Sequence, residues 1–327
     1  MRKMRVIEPV RTINARSGKI SWNWTRVEDA HISYLLDRGE VSLNALTTTK
    51  AASVVEYIAT RESIRKAASV CRTLSDEEIE IITSYAELNA DEASYLRVLT
   101  FMLKEGLYDD CVLYLPMTRN LRAGINDDNT TVYDRSNFGN HGTIHGAVWQ
   151  TLLSGKSVLS FDGVDDYVEV PNSESLRIDD RITISVWVKP IPAETYLGVM
   201  TQVCGGKGYM NRILIGSESG VILTQFEIGG SSDNFFSINS VNFEQWNHIV
   251  YVYDGSNEKY YINGVFDSSQ EASGQISTGS NNLLIGKGYT AGYYFKGIID
   301  EVHIYNIALS AAQIKRLFEL TRVFYGV

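Results

Sequence analysis

The apolar positions of this chain change period part of the way along. Up to about residue 107 they recur every three to four residues, the spacing of helices that bury one face. Thr25-Arg26-Val27-Glu28 has the form of a capping box and leads into Ala30, Ile32, Leu35 and Leu36, with Gly39 as a stop. From Lys50 to Val70, Ala51, Val54, Val55, Ile58 and Ala59 share one helical face. Ser75-Asp76-Glu77-Glu78 is a second box, followed by Ile79, Ile82, Tyr85 and Ala86. Asn89-Ala90-Asp91-Glu92 is a third, with Leu96, Leu99, Phe101 and Leu103 behind it and Gly106 as the stop. These signals predict a bundle of three or four helices. Before it, Met4–Ile20 alternates weakly, as an extended arm or an edge strand does.

After Gly106 the period falls to two. Cys111–Leu115, Val158–Phe161, Tyr167–Val170, Ile182–Val188, Ile213–Ile215, Val221–Ile228, His248–Tyr253, Tyr260–Ile262, Leu283–Ile285 and Ile298–Tyr305 read as short strands between clusters of Gly, Asn, Asp and Ser. Asp254-Gly255 and Asn263-Gly264 are tight-turn dipeptides between alternating runs. Ser310 and Gln313 open a closing helix that turns Ile314, Leu317 and Phe318 inward. The expected class is α+β and multidomain, which suits a chain of 327 residues. An extended arm (1–24) precedes a helical adaptor domain (25–107), and an antiparallel β-sandwich of jelly-roll type with a C-terminal helix (108–327) follows.

Charge separates the same regions. Residues 1–107 hold 15 basic and 15 acidic side chains, so the net charge of −9 belongs to residues 108–327. An acidic domain repels phosphate, which argues against nucleic acid as a partner. Only the first 16 residues lean basic, with Arg2, Lys3, Arg5, Arg11 and Arg16 against Glu8. No apolar run is long enough to cross a bilayer, and no export signal is read at the N-terminus. Cys71, Cys111 and Cys204 are too few and too scattered for a disulfide framework or a Cys-x-x-Cys site, and read as isolated thiols.

The second region carries motifs in a fixed order. They are Asp134-Arg-Ser-Asn-Phe-Gly-Asn140-His-Gly-Thr143, Phe161-Asp-Gly-Val-Asp-Asp-Tyr-Val168, Ile182-Thr-Ile-Ser-Val-Trp-Val-Lys-Pro190 and Trp246-Asn-His-Ile-Val-Tyr-Val-Tyr-Asp-Gly255. Tyr261-Ile-Asn-Gly264 and Phe295-Lys-Gly-Ile-Ile-Asp-Glu-Val-His-Ile-Tyr-Asn306 follow. From Tyr108 to Leu320 the chain resembles the laminin-G-like domains of the concanavalin A-like lectin/glucanase superfamily, with Phe138 where the family often has Gly. The resemblance implies a structural calcium ion near the last long strand. Asp300 is its best side-chain ligand, with Asp162 and Asp134 as further candidates; both of these also suit plain turn chemistry.

The sandwich hosts lectins, glycosidases and interaction modules alike, so the fold leaves the function open. Hydrolysis of a glycosidic bond needs two carboxylates flanking it. No strand here has the E-x-D-x-x-E spacing of the glucanases, and Glu169 and Glu227 stand alone. No nucleophile elbow, H-E-x-x-H or P-loop is present, so no catalytic residue is assigned and the chain reads as a non-enzyme. Sugar recognition would fall to loop aromatics. Tyr196, Tyr209, Phe235, Phe236, Tyr289, Tyr293 and Tyr294 qualify, and Tyr289, Tyr293 and Tyr294 around Gly288 and Gly292 form the candidate ligand-binding patch. Trp187 and Trp246 read as core.

Such modules usually work outside cells, yet no export signal is read. A virion, assembled in the host cytoplasm and released by lysis, reconciles the two. The expectation is a virion structural or attachment protein, a fibre or surface decoration. It would be homo-oligomeric and joined to other virion subunits through its N-terminal domain, with the sandwich binding glycans or a neighbouring subunit. The alternatives are a polysaccharide-active enzyme, or a carbohydrate-binding or adhesion protein of the cell surface.

Overall fold

The computed structural model describes residues 10–13, 20–23, 89–119, 127–204, 209–232, 234–289 and 292–327. The chain divides into two compact units, Met1–Leu88 and Asn89–Val327. The described residues of the first form one antiparallel pair, β1 (Val10–Ile13) and β2 (Ile20–Asn23). The helices expected between residues 25 and 88 lie outside the described residues.

The second unit opens with helix α1, Ala90–Lys104. Its capping box forms as expected: Glu92 N–H donates to Asn89 Oδ1 at 3.1 Å, and Asn89 N–H donates to Glu92 Oε2 at 3.2 Å. The sequence groups this helix with the bundle, but in the structure it belongs to the sandwich unit. The reason is visible in its polar residues. Asp91 is buried and accepts the Ser157 N–H and hydroxyl, each at 2.7 Å, and Ser94 Oγ donates to Glu301 at 2.7 Å. Buried polar groups with matched partners fix the helix to the strands that supply them.

Two antiparallel sheets follow. Sheet I runs in the order β13 (Asn234–Ser240), β12 (Val221–Gln225), β11 (Tyr209–Ile215), β10 (Leu197–Cys204), β17 (Leu283–Ile285), β8 (Tyr167–Val170), β5 (Gly142–His145) and β4 (Thr131–Val132). Sheet II runs β16 (Val265–Glu271), β15 (Asn257–Ile262), β14 (Asn247–Tyr253), β9 (Ile182–Pro190), β18 (Lys296–Tyr305), β7 (Ser157–Asp162) and β6 (Val148–Thr151). Strand β3 (Cys111–Leu115) also pairs with β18, beside its second half, whereas β7 pairs with its first half. Between the two halves, at Asp300 and Glu301, the register with β9 shifts and Glu301 takes a positive φ of 48°. The core lies between the sheets, where Met200, Ile213, Ile285 and Val168 of sheet I meet Ile184, Val186, Ile249 and Ile299 of sheet II.

The two sheets differ in what lies outside them. Every residue of β14, and all but one of β9, is buried, so the centre of sheet II is covered on both faces, while its edge strands β6 and β16 are largely exposed. Helix α2 (Ala311–Thr321), capped by Ser310 and Gln313 as the sequence predicts, supplies much of that cover. Trp187 stacks on Phe318 and Tyr325, with ring centres 5.7 and 4.3 Å away, and its indole N–H donates to Thr321 Oγ1 at 2.9 Å. In sheet I, strands β13, β17 and β8 alternate, whereas β10, β11 and β12 are buried along most of their described length. In β8, Val168 and Val170 are buried, whereas Tyr167 and Glu169 reach the surface. The strands end in turns of the expected chemistry: Asn263 and Gly264 both have positive φ, 52° and 74°, as a two-residue hairpin demands.

Candidate functional site

Cross-strand pairs share a face, so the register identifies one row across the outside of sheet I. It runs Asn234, Gln225, Arg212, Thr201, Leu284, Glu169, Thr143 and Thr131, one residue from each strand. All but Leu284 are polar. The adjacent inward row, Ile213, Met200, Ile285 and Val168, belongs to the core, which confirms the facing.

Tyrosines border this row. The segment after β17 folds back over β10. Gly286 N–H donates to Val199 O at 2.9 Å, Gly288 N–H to Tyr293 O at 2.6 Å, and Lys287 bridges Tyr294. Gly198 makes this possible, because a Cβ there would run into the backbone of Gly288 and Tyr293. Tyr293 thereby meets Tyr196, with ring centres 5.7 Å apart. Lys287 Nζ lies over two rings, 4.2 Å from that of Tyr167 and 5.1 Å from that of Tyr294. Tyr167 also stacks on His145, which faces Glu169 at 3.4 Å. Tyr289 is 54% exposed.

The patch read from the sequence, Tyr289, Tyr293 and Tyr294, is thus extended by Tyr196, beside Tyr293, and Tyr167, which shares Lys287 with Tyr294. Phe235 is different: it points inward from β13 and stacks on Tyr260 in the core. Trp187 and Trp246 are buried, as the sequence indicates. Arg212 and Lys287 were not singled out by sequence. The signal for Arg212 was a lone charge inside the apolar strand run Met210–Ile215. It lies near enough to Tyr196 and Tyr293 for them to act on its charge. Burial holds the guanidinium below its ordinary pKa, and the two tyrosines oppose that.

The candidate metal ligands are not brought together. Asp300 is fully buried at the bulge of β18. Its carboxylate lies 3.0 Å from the Lys156 ammonium and accepts the Tyr325 hydroxyl at 2.7 Å and the Glu301 N–H at 2.9 Å. Lys156 is itself fully buried; it also donates to Pro116 O at 2.6 Å and lies 3.7 Å from Glu301. Burial opposes its charge, but Asp300 and Glu301 outweigh burial and raise its pKa above the ordinary value. Burial raises both carboxylates, against the pull of Lys156. A lysine therefore supplies the cation that the resemblance leads one to expect at Asp300.

Asp134 is saturated. It accepts the Tyr114 and Ser136 N–H groups at 2.9 Å each, the Asn140 N–H at 2.7 Å and the Ser136 hydroxyl at 2.6 Å, two bonds to each oxygen. Asp162 accepts the Val164 N–H at 2.7 Å across its own turn, and its N–H donates to Asp166 at 2.8 Å. Asp162, Asp165 and Asp166 bring carboxylate oxygens within 4.8 Å of one another, the one such group of three among the described residues. Burial raises the pKa of Asp166, and its acidic neighbours add to this. Of the three predicted ligands, only Asp162 stands among oxygen donors suited to calcium.

A cleft of about 650 Å³ opens between the sheets, lined by Phe226, Asn257, Glu258, Gln270 and Ser273 among others. Glu258 is buried in it and accepts the Tyr251 hydroxyl at 2.8 Å and the Gln270 amide at 3.2 Å. Among the described residues no helix is long and apolar enough to cross a membrane.

Residues 162–315 match the family model of the concanavalin A-like lectin/glucanases superfamily, a narrower span than the motifs suggest. No curated protein matches the chain. Among solved structures it is similar to the binding domain of Paraclostridial Mosquitocidal Protein 1 (15% identity, TM-score 0.51, 65% of this chain and 52% of that one). It is also similar to the botulinum neurotoxin serotype G binding domain (16% identity, TM-score 0.50, 64% and 51%). The chain thus spans about half the length of these two structures. A third, domain 4 of AbnA, an extracellular arabinanase of Geobacillus stearothermophilus in complex with arabinotriose, is 21% identical with a TM-score of 0.49, over 64% of this chain and 98% of that one. The sandwich of this chain carries, over residues 162–315, the sequence pattern of laminin-G-like domains of the concanavalin A-like lectin/glucanases superfamily.

Proposed function

We propose that the sandwich binds glycans on the outer face of sheet I and does not transform them. The observation that carries this reading is the polar row from Asn234 to Thr131, bordered by Tyr196, Tyr293, Tyr294 and Tyr167. Sugar rings offer apolar faces that stack on aromatics and hydroxyls that need polar partners, and this surface supplies both. The row holds one carboxylate, Glu169, whose register neighbours are Leu284 and Thr143. Glycoside hydrolysis needs a pair.

A glycan array followed by calorimetry tests the proposal. Tyr293→Ala should weaken the best hit about tenfold, in line with about 1 kcal/mol or more for an aromatic contact. Its melting temperature should stay near that of the parent. An array without hits overturns the reading, and so does a hit insensitive to Tyr293, Tyr196 and Tyr167. Release of reducing ends from a bound glycan, lost in Glu169→Gln, would overturn the non-enzymatic part.

A virion setting and a structural calcium ion complete the proposal. The first rests on the sequence reading alone; immunogold labelling of particles tests it, and labelling confined to cell surfaces would overturn it. The second rests on Asp162, Asp165 and Asp166. Calcium should raise the melting temperature and a chelator should lower it, and an unchanged value removes the ion.

A further inference from the structure

We infer that the sugar bound on sheet I carries a carboxylate, as uronic and sialic acids do, and that Arg212 recognises it. This rests on the glycan-binding reading above and adds the ligand's chemical class. Residues 108–327 hold 24 acidic side chains against 15 basic ones. Two cations of this face have no acid beside them. Among the described residues neither Arg212 nor Lys287 forms a salt bridge, and the Arg212 Nε–H is buried with no hydrogen-bond partner. Lys287 has tyrosine rings beneath it instead.

The neighbours of Arg212 along the row repeat the pattern. Thr201 pairs with it on one side and Gln225 on the other. Thr201 Oγ1 and Gln225 Oε1 are also buried without partners. Three adjacent polar groups on one row are therefore unsatisfied: a forked cationic donor, a hydroxyl and an amide acceptor. A buried polar atom without a partner is costly. An acidic sugar fits the half-buried guanidinium. Its planar carboxylate matches the guanidinium fork. Tyr196 and Tyr293, which act on the charge of Arg212, would flank the ring, with Thr201 fully buried beside the guanidinium. A neutral sugar would leave the guanidinium unanswered.

Calorimetry with paired probes tests the inference. Lactose, 3′-sialyllactose and 3′-sulfolactose form one series, and trigalacturonate beside its methyl ester forms the other. At least one carboxylated probe should bind about tenfold or more tighter than its neutral partner, the effect of one charge-assisted pair. Arg212→Met should abolish that preference. Arg212→Lys should keep part of it and Lys287→Met should reduce it, so the result does not depend on one variant folding. Tyr293→Ala should weaken acidic and neutral probes alike. Equal affinity for neutral and carboxylated probes overturns the inference and leaves glycan binding standing. Preference for the sulfated probe over both overturns the carboxylate assignment. Binding of no probe in either series, together with an empty array, removes both readings.

Discussion

The buried lysine offers the sharpest test of the physical reasoning. Lys156 is fully buried, 3.0 Å from Asp300 and 3.7 Å from Glu301. Lys156→Met keeps most of the volume and removes the cation, which leaves two carboxylates facing each other in the interior. Breaking a buried pair from one side costs about 3–5 kcal/mol. For a unit the size of Asn89–Val327 each kcal/mol moves the melting point by about 2–4 °C, so a fall of roughly 6–20 °C follows. The loss also has a pH signature that lost packing lacks. Burial already raises both carboxylates, and without Lys156 they rise further. Between their unfolded and folded pKa values the folded state then holds protons that the unfolded state releases, so stability falls as pH rises. The deficit of Lys156→Met against the parent should therefore be larger at pH 8.5 than at pH 5.5. Urea unfolding followed by tryptophan fluorescence measures both, because Trp187 and Trp246 lie in the same unit. Adding Asp300→Asn removes one of the stranded charges and should recover part of the loss. A deficit below about 1 kcal/mol, or one independent of pH, would refute the account.

Three further outcomes are expected. Burial holds His248 down to about 3, with His303 adding to it, and burial holds His303 down to about 3. Below about pH 6.5 the unfolded chain binds protons that these rings refuse. Their contribution is whole above that pH and falls by about 1.4 kcal/mol per unit for each histidine as pH drops towards 3. His248→Gln should flatten the pH slope between 6.5 and 4 by one such increment, and parallel curves would count against it. Gly198→Ala forces the tyrosine segment off β10, which should cost about 1–3 kcal/mol and weaken glycan binding as well; full binding would show that the segment is not part of the site. Asp134→Asn gives an amide nitrogen where two N–H or hydroxyl donors converge, so thermal unfolding should show a loss of about 1–3 kcal/mol with no dependence on calcium.

Much of the sandwich was legible because its strands obey a period of two and its turns carry their own chemistry. Cys111–Leu115, Tyr167–Val170 and Leu283–Ile285 have the bounds the pattern predicts. The strands that escaped notice lack that contrast. Asn234–Ser240 and Val265–Glu271 are polar strands that the alternation did not reveal, and Leu197–Cys204 carries a glycine and a bulge at Gly198. The site was less legible than the fold. Tyr293 and Tyr294 stand out as loop aromatics, but Arg212, Thr201 and Gln225 become neighbours only through register. Asp300 shows the same limit from the other side. Its motif suggests an ion ligand, and its actual cation, Lys156, lies 144 positions away in the chain.

Both sheets hold buried polar atoms without partners: Glu301 Oε2, His248 Nδ1 and His303 Nε2 on sheet II, and Thr201 Oγ1, Arg212 Nε and Gln225 Oε1 side by side on one row of sheet I. On sheet II the buried charges meet partners inside the fold: Asp300 has Lys156 and Tyr325, Asp91 has Ser157, and Glu301 has Ser94. On sheet I the charge of Arg212 has no acid beside it. Each buried polar atom left without a partner costs about 1–3 kcal/mol. Sequences tend to break the rule of satisfied polar groups where function requires it. A ligand that answers Arg212 relieves a cost the empty protein carries, so its binding should rest on that side chain more than on contact area. Stability measured across a titration of the best glycan should then rise in the parent by RT ln(1 + [L]/Kd), carrying Tm up with it, and much less in Arg212→Met at the same concentrations.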